Sequence, residues 1–181
     1  MSQAQPDNRR TVEKFLAVEK ALLGEAVAAS NAGAIVAAMA MAFVTIDTMA
    51  LLACPLGQVE QFKADFIAWV DAYLKADAAS EYQYEGRDIY SARCGVLHSY
   101  SSISRDHRGP NPPRQFGYAD GGAHKKDDAT PLVIISVGLL ICDLATATMA
   151  FAEAMRTDPD LMKRVDSRID DLFITRLLGA R

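Results

Sequence analysis

Cysteine is scarce in this chain and shows no pairing pattern. Cys54, Cys94 and Cys142 are odd in number and far apart, with no Cys-x-x-Cys spacing, so a disulfide framework is excluded and a reducing compartment, the cytoplasm, is expected. Histidine is equally rare, and His107 and His124 have no Cys or His partner at metal-ligand spacing. No metal and no other cofactor is therefore expected. A phosphate-binding glycine loop, a Ser/His/Asp nucleophile pattern, a glycosidase-like carboxylate pair and internal repeats are all missing. The first ten residues are polar and lack the apolar run of a secretory signal. They read as a flexible tail, with 11–181 as a single helical domain.

What is present is apolar: half the residues are hydrophobic and 23% charged, enough for one core in 181 residues without staples. The net charge of −4 argues against non-specific nucleic-acid binding. Its distribution is uneven, since 93–126 carries six Lys and Arg against two Asp. The basic charge is local.

Hydrophobic spacing predicts a helix over Thr11 to Ala29, a second over Ala34 to Ala53, and a third over Gln58 to Ala76 with Val59, Phe62, Phe66, Trp69, Val70, Tyr73 and Leu74 on one side. A connector leads to a fourth over Arg87 to Ser101. Residues 102–129, rich in Gly and Pro, read as one long loop with a short strand at Gln115 to Ala119. Thr130-Pro131 and Asp158-Pro159 each look like an N-cap followed by Pro at the first helical position, opening helices to about Arg156 and to near Gly179. The expected architecture is all-α, an up-and-down bundle of about six helices.

Two of these segments are long enough to span a bilayer. Asp47 and Asp143 sit near their middles, Lys and Arg are absent from the edges of the first and no Trp or Tyr belt flanks either, so central helices of a bundle are expected and a small membrane protein is the less favoured alternative. If central, both carboxylates are buried and need partners, Arg93 or another helix-borne Arg, with a part in orienting His98 as the sharper and less favoured role.

One helical window concentrates functional side chains: Tyr90, Arg93, Cys94, His98 and Tyr100. Seven residues put Arg93 and Tyr100 on one face, whereas five put Arg93 and His98 about 140° apart. A bent guanidinium or a subunit interface could join them. Cys94 and His98, four apart, make at most half a zinc site.

The spacing Arg93, four residues, His98, one residue, Tyr100 resembles the motif of the HEPN superfamily, all-helical domains that include RNase toxins and RNA-processing effectors. The resemblance implies a metal-independent endoribonuclease working at a cleft between two protomers, with Arg93 and His98 central and Tyr100 supporting. It also implies a homodimer, an RNA partner and, for the toxin type, a nucleotidyltransferase antitoxin that modifies the Tyr. This chain departs from the pattern at Cys94, where many members carry Asn or another polar residue. Arg105, Arg108 and Arg114 in the following basic loop are candidate substrate contacts, with Asp47, Cys94 and Tyr90 supporting. The alternative is a non-catalytic binding or scaffold module in which Arg93 is a surface cation and His98 a satisfied core imidazole.

Overall fold

The computed structural model describes residues 8–76, 82–126 and 129–172, and helix dominates strand, 66% against 8%. Six α-helices occur among the described residues, with a small sheet between the fourth and fifth.

The first helix, α1 (Asn8–Asn31), begins before Thr11, so residues 8–10 of the expected tail are helical. Residues 1–7 lie outside the described residues. Gly33, at φ 71°, turns the chain into α2 (Ile35–Ala53). This helix is the axis of the fold, packing against α1 and against four later helices: α3 (Lys63–Trp69), α4 (Gly86–Ser99), α5 (Val137–Thr157) and α6 (Pro159–Asp166). Met39, Ala42, Phe43, Ile46, Met49 and Ala50 are inaccessible, the 3.6-residue spacing of a core stripe. Thr45 and Thr48 donate their hydroxyls to the carbonyls of Met41 and Val44 (2.8 and 2.9 Å), so their polarity is absorbed within the helix. By length and composition α2 and α5 could each cross a membrane, but 50% of the α2 segment and 44% of the α5 segment is buried against protein here.

The third helix starts later than the hydrophobic spacing suggests. Asp65 accepts from the Phe62 backbone N–H (2.7 Å) and from Gln58 Nε2 (2.6 Å), which fixes the helix start at Lys63. Val59 and Phe62, expected on a packed face, are 90% and 62% exposed as a result. The helix ends in a widened turn, Val70–Leu74, closed by Lys75 N–H on Val70 O (2.9 Å). Trp69 and Tyr73 there pack with Phe151 of α5, ring centroids 6.2 and 5.1 Å away. Phe151 also meets Phe15 of α1 (5.6 Å), so one ring joins three elements, and its truncation to Ala would cost about 3–5 kcal/mol.

The fold is mostly helical, as expected of a helical bundle, with a small three-stranded sheet added to it. The strand read at Gln115 to Ala119 is present as β1 (Gln115–Ala119), and the expected loop 102–129 also holds a helical turn and β2 (Lys125–Lys126). Residues 132–136, expected to be the first turns of a helix, form β3 (Leu132–Ser136). The strand order is β1-β3-β2, β1 parallel and β2 antiparallel to β3, with Phe116 beside Val133 and Tyr118 beside Ile135. The β-branched run Val133-Ile134-Ile135 suits a pleated ladder better than a helix start. Thr130 caps nothing helical; its hydroxyl accepts from the Leu132 N–H (3.3 Å) and Pro131 O accepts from Gln115 N–H (2.9 Å).

Asp158 does cap α6, accepting from the Asp160 and Leu161 N–H groups (2.8 and 3.2 Å). That helix stops at Asp166 and a short 3₁₀ turn, Ile169–Asp171, follows. The expected continuation through Phe173 and Leu177 to Gly179 lies outside the described residues.

Candidate functional site

The motif helix is pinned at both ends. At its start the buried Asp88 carboxylate accepts from the backbone N–H groups of Glu85 and Arg114 (2.8 Å each), tying α4 to the segment before β1. At its end the carbonyl of Gly95 accepts from the N–H of Tyr100 and of Ser101 (3.0 Å for the latter). A Cβ on Gly95 would stand 2.3 Å from the Ser101 carbonyl oxygen, so the chain can fold back only over a glycine. Tyr100 takes the left-handed conformation, φ 47°. The helix therefore stops one residue past His98, and Tyr100 does not continue the Arg93 face as a straight helix would have it. Its side chain is 79% exposed.

Arg93 does cross the gap to His98. Its Nε donates to Asp47 Oδ2 of α2 (2.8 Å), both side chains being about one-fifth exposed. Its Nη1 donates to His98 Nε2 (2.9 Å) and lies 3.9 Å from the Cys94 sulfur. Burial pushes the Asp47 carboxyl above its ordinary pKa, against hydrogen bonds from Arg93 and Gln61 that pull it down. Burial also opposes the charge on Arg93, but the Asp47 carboxylate outweighs it and raises the guanidinium further. A guanidinium only donates, so Nε2 must accept. The His98 imidazole is then neutral with its proton on Nδ1, and Nδ1 has no partner among the described residues.

Tyr90 lies one turn back, its ring edge-on to Phe66 (centroids 5.4 Å) and the Lys63 ammonium 5.1 Å from its centre. Burial, then the neighbouring Cys94, raise its hydroxyl pKa. Tyr90, Arg93, Cys94 and His98 thus form one cluster anchored on Asp47.

The basic loop divides. Arg105 and Arg108 belong to a single 3₁₀ turn, Arg105–Arg108, exposed and without hydrogen bonds from their side chains among the described residues, Arg105 being attracted by the Asp106 charge. Arg105 lines a hollow of about 250 Å³ with Lys63, Arg87, Asp106, Gly109, Asn111 and Pro113. Arg108 and Arg114 do not line it. Lys63 and Arg87 were not singled out by the sequence motif, yet Arg87, Tyr90, Cys94 and His98 follow helical spacing, a signal that was available.

The other histidines are engaged. His107 accepts the Ser104 N–H at Nδ1 (3.0 Å), closing its own turn. His124 accepts the Ser136 N–H at Nδ1 (3.1 Å) and meets Asp143 Oδ2 through Nε2 (3.3 Å). Asp143, expected to be buried, has a side chain 43% exposed because it lies at the edge of α5. A hollow of about 670 Å³ opens beside that pair and is lined in part by Tyr73, Tyr82 and Tyr84. None of the motif residues reaches it, so size does not mark the motif site. Among the described residues no three His, Cys, Asp or Glu side chains gather as a metal would need. Comparison with protein-family models, curated proteins and solved structures gives no match.

Proposed function

We propose that this protein is a metal-independent endoribonuclease of HEPN type, a toxin or RNA-processing effector, acting in the cytoplasm as a homodimer. The observation that carries the proposal is the direct Arg93–His98 contact at an exposed helix end, with Asp47 behind it. A phosphodiester beside a 2′-hydroxyl is cleaved when that hydroxyl loses a proton, charge builds on phosphorus, and the leaving oxygen gains a proton. Arg93 has the fixed, forked charge suited to the phosphorane oxygens. His98 has the imidazole suited to proton transfer. In the free chain Arg93 occupies His98 Nε2; an incoming phosphate is a stronger acceptor for Nη1, and its arrival frees Nε2 to act as base. One His cannot readily be base and acid in the same step, and a second protomer would bring a second His98. Exposed Val59 and Phe62 beside Gln61, and Tyr100 and Ile103 after His98, give such a protomer apolar surface to meet.

The non-catalytic reading draws on one observation, that Arg93 is already satisfied by Asp47 and His98 in the absence of any ligand. The decisive experiment is cleavage of single-stranded RNA in excess EDTA. The rate is expected to survive chelation, to leave 2′,3′-cyclic phosphate ends because the substrate's own hydroxyl attacks, and to fall in Arg93→Lys, which keeps charge but loses the fork. Products with 5′-phosphate ends or inhibition by EDTA would reject the mechanism. Absence of cleavage by a folded dimer would favour the binding module.

A further inference from the structure

The α4 side chains at 87, 90, 94 and 98 are spaced three, four and four residues apart, which places them on one stripe spanning about 16 Å. His98 stands at one end. Arg87 stands at the other, at the mouth of the hollow that it shares with Lys63 and Arg105. Three elements that are distant in sequence bring these cations together: α3, α4 and the 3₁₀ turn after α4.

The hollow carries an excess of positive charge. Its lining holds three cations and one carboxylate, Asp106, and that carboxylate is bound by Lys63. The Lys63 contact, helped by the charge of Arg105, holds the Asp106 carboxyl below its ordinary pKa. Arg87 Nε lies 3.8 Å from Asp88 Oδ1, outside the lining, so the lining itself keeps three cations against one carboxylate. Arg87 donates Nη2 to the carbonyl of Pro112 (2.8 Å) and, at longer range, to Asn111 O and Oδ1 (3.4 and 3.3 Å), which orients the guanidinium across the hollow. The Arg105 side chain makes no hydrogen bond among the described residues, only a charge attraction to Asp106, and the NH₂ of Asn111 donates no hydrogen bond among them. Forked donors around a space of about 250 Å³ suit a tetrahedral oxyanion.

We infer that the Lys63, Arg87 and Arg105 hollow binds a backbone phosphate of the same single RNA strand whose scissile phosphate meets Arg93 and His98. The strand runs along the α4 stripe over Tyr90 and Cys94, and the distal phosphate fixes its register. This inference rests on the proposed ribonuclease site, but its test does not require cleavage.

Binding of a labelled single-stranded RNA to the full-length His98→Ala protein is measured by fluorescence anisotropy across a salt series, alone and combined with Arg87→Gln, Arg105→Gln or Arg105→Glu. Each added change is expected to raise Kd by about tenfold, and each lost phosphate contact to lower the slope of log K against log salt by roughly 0.7. Arg105→Gln disturbs no internal bond, so it guards against a folding artefact in Arg87→Gln. In the parent protein, Arg105→Gln is expected to raise KM for the long strand more than for a dinucleotide, which is too short to span the stripe. Unchanged Kd and salt slope in all three variants would overturn the inference, even if cleavage at Arg93 and His98 is intact. Weaker binding in those variants would uphold the phosphate site, even if no RNA is cut.

Discussion

Two histidines in this protein each stand near a carboxylate on a long apolar helix, and they are built for opposite ends. His124 spends both ring nitrogens internally, one on the Ser136 N–H and one on Asp143, with its side chain only 14% exposed. His98 spends one nitrogen on Arg93, keeps Nδ1 without a partner among the described residues, and stands exposed at the end of α4. The carboxylate also enters differently. Asp143 touches its histidine directly, whereas Asp47 reaches His98 only through Arg93. A histidine with both nitrogens committed is a structural clamp. One with a free nitrogen and a cation at the other is placed to exchange a proton and meet an anion.

The strongest way to break this comparison is to remove each imidazole. His98→Ala is expected to lower RNA cleavage by about 10²–10⁴-fold while leaving the thermal midpoint nearly unchanged, since an exposed side chain is lost. His124→Ala should do the reverse. It leaves the buried Ser136 N–H without an acceptor at the β3 to α5 junction and costs about 1–3 kcal/mol in denaturant unfolding, with kcat preserved. Equal activity loss in both variants would end the distinction.

Gly95→Ala tests whether the exposure of His98 depends on the abrupt end of α4. The added methyl must displace the Ser101 carbonyl, so a loss of about 1–3 kcal/mol is expected, with cleavage impaired beyond what that stability change explains. Unchanged unfolding and activity would show that the fold-back after His98 is dispensable.

The smallest effect is a difference in pH response between the two faces of α4. Burial raises the folded pKa of Asp47, so its contribution to stability is full below the ordinary carboxylate pKa and is lost as pH rises through the raised value. The Lys63 contact lowers that of Asp106, so its contribution is present above the ordinary pKa and is lost as pH falls through the depressed value. Urea titrations of Asp47→Asn and Asp106→Asn between about pH 2 and 6 should therefore diverge from wild type with opposite slopes, each by under about 1 kcal/mol. Parallel slopes would remove the assigned asymmetry.

Much of the helical frame is legible in the sequence, because long apolar runs such as Ile35–Ala53 admit few other fates and Asp158-Pro159 is a local signal acting locally. The strand Leu132–Ser136 was not legible. A five-residue apolar run fits a buried helix turn or a buried strand equally, and here the deciding partner, Gln115–Ala119, lies across a crossover. The late start of α3 follows from a side-chain contact of Asp65 that periodicity does not register. At the site, a helical wheel correctly separates Arg93 from His98 by angle, but it knows only where side chains leave the helix. The guanidinium is long enough to return. Lys63 and Arg105 could be joined with Arg87 only by tertiary structure, since they come from three separate elements.

The widened turn Val70–Leu74 implies an asymmetry in how this chain tolerates changes of length. It holds one more residue than a regular turn, and the exposed Ala72 is the spare. Deleting it would return the ladder to ordinary helical pitch with the later side chains still in phase, whereas inserting one more residue after it would swing every later side chain by about 100°. Tyr73 would leave Phe151, and Lys75 would leave Asp71 and Glu85, to which it now reaches (3.5 and 2.8 Å). Deletion of Ala72 is therefore expected to be tolerated better than any insertion between Trp69 and Lys75, however exposed some of its residues are.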